Sequence, residues 1–191
     1  ATDAAKITAS GQGGLAGAVN LDMAADIPDA AVLDQGLSGP INATIAVSRD
    51  EAENGDVAIR FNGPGTAVSS QGKIAPDLRL TGTLNASVAE LASYQRLIGQ
   101  PVSGGFSTRI EGSIMPDLSA FNATVSAQTT NLGVGNKIAD ILLAGTGQLR
   151  AKATLQAGDL QIETLDVSTG NVTLSGNLGG QSGAGRGAFE A

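Results

Sequence analysis

The sequence predicts a mostly β protein whose long antiparallel sheet is curled into a groove, with short helices covering an edge. A short phrase recurs as Ile41-Asn42-Ala43-Thr44-Ile45, Leu84-Asn85-Ala86-Ser87-Val88 and Phe121-Asn122-Ala123-Thr124-Val125. Repetition at this spacing is typical of stacked supersecondary units. Apolar and polar residues alternate around each copy, which gives every strand one apolar and one polar face. We therefore interpret residues 1–191 as one repeat-built domain, with units of approximately 1–47, 48–112 and 113–191.

The alternation has a period of two along most of the chain, as expected for half-buried strands. Turn sequences such as Asn62-Gly63-Pro64-Gly65 and Thr169-Gly170-Asn171 separate the alternating segments and predict antiparallel hairpins or a meander. The larger apolar residues that share one strand face are the predicted lining of the groove: Ile41, Ile45, Val47, Val57, Ile59, Phe61, Leu78, Leu80, Leu84, Phe106, Ile110, Val125, Leu149, Leu155, Leu160, Ile162, Val172 and Leu174.

The alternation breaks at 26–35, 87–98 and 136–143, where apolar residues follow helical spacing. In the second segment Ser87 and Glu90 have the spacing of a capping box, and Gly99 is suited to end the helix. Helices this short are not stable alone, so their apolar sides must rest on the sheet.

The composition excludes several function classes. The chain has 11 basic and 18 acidic residues, with a formal net charge of -7, and its basic residues are scattered. Nucleic-acid binding is therefore not expected. The chain contains no His and no Cys, the usual nitrogen and sulfur metal ligands and the commonest catalytic bases and nucleophiles. We expect no catalytic residues, no metal site, no cofactor and no enzymatic activity.

Three features allow a second interpretation. Gly11-Gln12-Gly13-Gly14-Leu15-Ala16 formally fits a dinucleotide-binding fingerprint, but the βαβ rhythm that this requires is missing, so a Gly-rich sheet corner is preferred. The carboxylates of Asp22, Asp26, Asp29 and Asp34 could bind calcium, although a solvated helix face accounts for them better. The apolar strand face could also be the core of a sandwich, closed by a second sheet.

The phrase from Val88 to Gly104, a short helix, a glycine, an apolar-x-Gly corner and then a strand, resembles the repeated unit of the TamB/AsmA-like family of bridge-type lipid transport proteins. The resemblance extends over most of the chain as a pattern and is best at 26–47, 87–112 and 136–155. It implies a taco-like β-groove, a periplasmic location, and a parent protein anchored in the inner membrane of a Gram-negative bacterium. Because the chain opens with Ala1-Thr2-Asp3 and no Met, we expect it to be an internal segment.

The same resemblance implies a function. The hydrophobic groove would carry phospholipid acyl chains between the inner and outer membranes, assist outer-membrane protein assembly, or do both. An outer-membrane TamA-like barrel is the implied partner of other parts of the parent chain. The alternative is a non-catalytic structural β-solenoid or sandwich module, a spacer or adhesin-like element, with a closed core.

Overall fold

In the computed structural model, which describes residues 5–13, 18–181 and 184–190, twelve strands form one sheet whose spatial order follows the chain. Every neighbouring pair is antiparallel, which confirms the predicted mostly β fold class with a long antiparallel sheet. Within these residues the first and last strands do not pair, so the sheet is open. The strands are β1 (Lys6–Gly13), β2 (Val19–Ile27), β3 (Ile41–Arg49), β4 (Gly55–Gly63), β5 (Thr66–Ile74), β6 (Leu80–Val88), β7 (Ser103–Ile114), β8 (Ala120–Gly133), β9 (Thr146–Gln156), β10 (Asp159–Ser168), β11 (Thr173–Gln181) and β12 (Ala184–Glu190).

The connections alternate between the two edges of the sheet that are formed by the strand ends, because consecutive strands run in opposite directions. At one edge, which we call the turn edge, the described connections are short loops such as 75–79 and 157–158. The opposite edge, the helical edge, holds the 3-10 turns Ala30–Val32 and Leu91–Tyr94 and the helices α1 (Gln95–Ile98) and α2 (Lys137–Leu143). All helical segments of the described chain thus lie at one edge. None of them has the length and hydrophobicity to span a bilayer.

Two hairpins at the turn edge have the same backbone structure. In the β5–β6 loop the N–H of Leu78 donates to the carbonyl of Ala75 at 2.8 Å, and in the β7–β8 loop the N–H of Leu118 donates to Met115 at 2.9 Å. Both leucines have positive φ, 66° and 59°. The prediction that Leu78 is a strand residue of the groove is therefore wrong, because this turn places it before β6 with half of its surface exposed.

Two of the three helix predictions also need correction. Residues 26–35 form only the 3-10 turn Ala30–Val32, since β2 continues to Ile27. Ser87 lies in β6, so it is not a cap; Glu90 is itself the N-cap, and its carboxylate accepts from the N–H of Ala92 at 3.0 Å. The 136–143 prediction is confirmed, with Asn136 capping α2.

The buried core of the described chain is small and lies at the helical edge. Its buried members are Ala30, Leu37 and Ile41, and Ile27, Phe61 and Tyr94 pack against them. The hydroxyl of Tyr94 lies 2.6 Å from the carbonyl oxygen of Pro64 and 2.6 Å from the hydroxyl of Thr66, which fixes the loop after β6 to the sheet. The loops at this edge thus pack over the ends of the strands, and most of the sheet has no layer above it.

Candidate functional site: an apolar groove along the sheet

One face of the sheet carries an almost uninterrupted apolar surface, which we call the apolar face. Its central row contains residues that lie directly opposite one another on nine successive strands, because the hairpins keep the strands in register. These residues, from β2 to β10, are Met23, Ile45, Ile59, Ser70, Leu84, Ile110, Val125, Ala151 and Leu165.

Beside the central row lies a lane of small residues, formed by Gly72, Gly82, Gly112, Ala123 and Ala153 on β5 to β9. The neighbouring backbone leaves no space for a side chain at two of these glycines. A Cβ added at Gly82 would overlap the adjacent strand β5, and one at Gly112 would overlap the adjacent strand β8. Larger residues border the lane on both sides, so its floor is lower than its walls. The bordering rows include Leu84, Ile110 and Val125 on one side and Leu80, Ile114, Phe121 and Leu155 on the other.

A concave space of about 440 Å³ lies over this part of the apolar face. It extends from β4 to β8, four inter-strand spacings, which corresponds to about 19 Å at the usual strand separation. Apolar side chains dominate its walls, with Ser70 the hydroxyl of the central row. The larger lining residues are Val57, Ile59, Leu80, Leu84, Ile110, Ile114 and Phe121.

The apolar face is partly open to solvent. Ile45 and Ile59, in the middle of the sheet, each keep 37% of their surface exposed. In the described chain the only buried apolar residues are the three core members at the helical edge, and no second sheet covers the face. The structure therefore shows one apolar layer without the second layer that a sandwich requires.

The opposite face, the polar face, carries hydrophilic residues in the same register. Ion pairs join Lys73 to Asp56 at 2.7 Å and Lys152 to Glu163 at 2.5 Å. Such exposed pairs contribute little to stability. This face also has concave regions. Two of them lie near its centre, with volumes of about 520 Å³ and 510 Å³, and both are lined mainly by polar and small residues. Their polar lining suits water and does not resemble the lining of the apolar groove.

Of the eighteen residues predicted to line the groove, sixteen lie on strands and share the apolar face. The exceptions are Leu78, corrected above, and Val172, which precedes β11 in the turn after β10. The carbonyl of Val172 accepts from the N–H of Thr169 at 2.8 Å. The sixteen are Ile41, Ile45, Val47, Val57, Ile59, Phe61, Leu80, Leu84, Phe106, Ile110, Val125, Leu149, Leu155, Leu160, Ile162 and Leu174.

Sequence reasoning missed some lining residues. Ile114 and Phe121 continue the phase of Ile110 and Val125 by four residues, so the alternation itself could have found them. The alternation did not predict Leu165 as a lining residue, because a bulge after Ile162 shifts the alternation by one residue.

The weighed alternatives are not assembled into sites in the described chain. Gly11 and Gly13 lie in β1, whereas Gly14, Leu15 and Ala16 lie outside the described residues. The four aspartates do not form a cluster, and no group of acidic residues that could hold a metal ion occurs in the residues described. Asp29 caps the 3-10 turn, and Asp34 lies 3.8 Å from the guanidinium of Arg96.

Comparisons with protein-family models, with curated proteins and with solved structures find no match to this chain.

Proposed function

We propose that this chain is a non-catalytic groove segment that carries phospholipid acyl chains along its apolar face, as part of a TamB/AsmA-like periplasmic protein that connects the inner and outer membranes. The observation that carries the proposal is a row on nine strands, apolar except for Ser70 and with only a small side chain at Ala151, that no second layer covers in the described part of the chain. Such a surface is unfavourable in water unless an apolar partner occupies it.

The dimensions of the concave space suit one lipid tail. The hydrocarbon core of a bilayer is about 30 Å thick, so one leaflet corresponds to an acyl chain of about 15 Å. The space over β4 to β8 extends for about 19 Å across the strands, and its volume of about 440 Å³ is within the usual range for small-molecule sites. A single tail lying across the strands would follow the small-residue lane, with the larger side chains on either side.

The chemistry of the groove suits transfer better than tight storage. Each buried methylene contributes about 0.8 kcal/mol, so a partly enclosed tail is held without any polar recognition group. The central row offers the same type of contact on successive strands, which allows a tail to move along it in small steps. The polar head group would remain in water at the open side of the groove.

Two neighbouring residues of β6 provide a matched test. Leu84 lies on the apolar face, whereas Thr83 lies on the polar face opposite Glu111. We expect Leu84→Arg to remain soluble and β-rich, because the guanidinium can reach water from an open groove, and to lose most of the phospholipid that copurifies without detergent. Thr83→Arg should retain it. Native mass spectrometry measures the bound lipid, and circular dichroism monitors the fold.

Three results would contradict the proposal. Equal phospholipid recovery from the two variants, or none from the unsubstituted chain, would remove the groove as the lipid site. Unfolding of Leu84→Arg would instead favour the closed-core structural module, because an unpaired charge in a closed core costs several kcal/mol. Photocrosslinkers at Ile59 and Ile110 should label phospholipid, while one at Arg109 should not.

A further inference from the structure

A second apolar surface lies outside the groove, along the helical edge. We define the helical rim as the eight large apolar residues of the loops 28–40, 89–102 and 134–145 that are between 40% and 73% exposed. The turn edge has only Leu78 and Leu118 of this kind in the described chain. The rim is formed by Val32, Leu33, Leu97, Ile98, Val134, Ile138, Ile141 and Leu142.

The three loops of the rim contact one another in sequence. Arg96 of the second loop pairs with Asp34 of the first at 3.8 Å. The second and third loops meet where Gly135 approaches Pro101, so closely that an added Cβ would lie 2.6 Å from the proline ring. The amide of Asn171 donates to the carbonyl of Ile141 at 2.7 Å, which fixes α2 to the next turn along the edge. These contacts link the three loops of the rim along the helical edge.

The four carboxylates of the rim loops are hydrogen-bonded within the chain. The carboxylates of Asp29, Asp34, Glu90 and Asp140 each accept a hydrogen bond from backbone N–H groups of their own loop or of the adjoining strand, at 2.6 to 3.1 Å. These loops contain only two basic residues. Segments that bind anionic membranes are rich in Lys and Arg on the polar side of a longer amphipathic helix. The rim has neither feature, so a bilayer surface is a poor match.

We propose that the helical rim is the interface of a symmetric homodimer of this chain. The eight residues, each 40% to 73% exposed, together present several hundred Å² of apolar surface, and one partner contributes about 800 Å² to a standard protein interface. Monomeric proteins rarely expose a contiguous apolar patch larger than a few hundred Å². A two-fold axis brings the same patch together on both copies, so a largely uncharged surface meets its equivalent and needs no complementary partner. This inference is independent of lipid binding.

The test compares exposed leucine and isoleucine residues at the two edges of the sheet. Leu97→Glu and Ile141→Glu change rim residues that are 58% and 65% exposed, and Leu118→Glu is the matched control at the turn edge, 63% exposed. Sedimentation equilibrium of the 191-residue chain should give a dimer. We expect each rim substitution to raise the dissociation constant of the dimer at least tenfold and the control to leave it unchanged.

A crosslinking measurement covers the case in which a charged substitution disturbs α2. Because the chain has no Cys, Ile141→Cys introduces a unique thiol that a bis-maleimide should link between two copies, whereas Leu118→Cys should dimerise equally well without being crosslinked. A monomer at all concentrations would overturn the proposal, as would a dimer that both rim substitutions leave intact. Flotation of a monomeric chain with phosphatidylcholine vesicles, lost in the rim variants, would also overturn it in favour of a lipid surface.

Discussion

Gly112 gives a quantitative test of how closely the strands approach beneath the small-residue lane. Its φ is not among the positive values of the described chain, so the backbone conformation itself accepts alanine. The added Cβ would instead overlap the carbonyl oxygen of Asn122 on β8. Backbone in the middle of a sheet cannot move aside without disturbing hydrogen bonds on both sides.

The expected cost follows from this overlap. Forcing an extra methyl group into a filled space typically destabilises a protein by about 1–3 kcal/mol. In a chain of this size each kcal/mol lowers the melting temperature by about 2–4 °C. We therefore expect Gly112→Ala to melt roughly 2–12 °C below the unsubstituted chain, as measured by circular dichroism during heating.

Gly179 in β11 is the matched control, since an added Cβ there meets nothing within 4 Å. Gly179→Ala should raise stability by about 0.4–1 kcal/mol, because alanine reduces the conformational freedom of the unfolded chain. Equal melting temperatures for the two variants would refute the close approach at Gly112 and, with it, the lowered floor of the lane.

Two further predictions concern individual side chains. Glu90→Ala should lower the free energy of unfolding by about 1 kcal/mol, because it removes the cap of the 3-10 turn, whereas Ser87→Ala should change it by no more than about 0.5 kcal/mol. Urea titration measures both values. A larger loss from Ser87→Ala than from Glu90→Ala would contradict the assignment of the cap. Hydrogen bonds from the side chain of Ser119 and, second in size, from its backbone N–H lower the pKa of Asp117 below its ordinary value of 3.8. The stability that the Asp117 carboxylate contributes to the fold is therefore present above that pH and is lost as the pH falls through the lowered pKa. The acid side of the stability profile should accordingly be flatter in Asp117→Asn, and an unchanged profile would exclude this contribution.

Much of the fold follows from the sequence because the information is local. The alternation around Ile45, Leu84 and Ile110 identifies strands, and their common phase assigns the apolar face without knowledge of their neighbours. The Asn136 cap and the helical spacing after it likewise identify α2. The division into three units and the family resemblance, with the lipid function that it implies, stay predictions.

Other parts depend on the tertiary structure. The strand β5 has little alternation of its own, with Ser70 and Gly72 at apolar-face positions, and it forms because β4 and β6 pair with it on both sides. The alternation placed Leu78 in a strand and the capping-box spacing placed Ser87 at a cap, whereas the hairpin register decides where strand β6 begins and ends.

The sequence by itself determined that the chain builds strands with one apolar and one polar face, because side-chain alternation is a property of neighbouring residues. Only the tertiary structure decided that twelve such strands lie side by side in one open sheet, that Gly72, Gly82 and Gly112 align into a lane, and that the three helical loops meet at one edge. These features depend on the register between successive strands and on its continuation across the whole sheet, which the alternation within one strand does not encode.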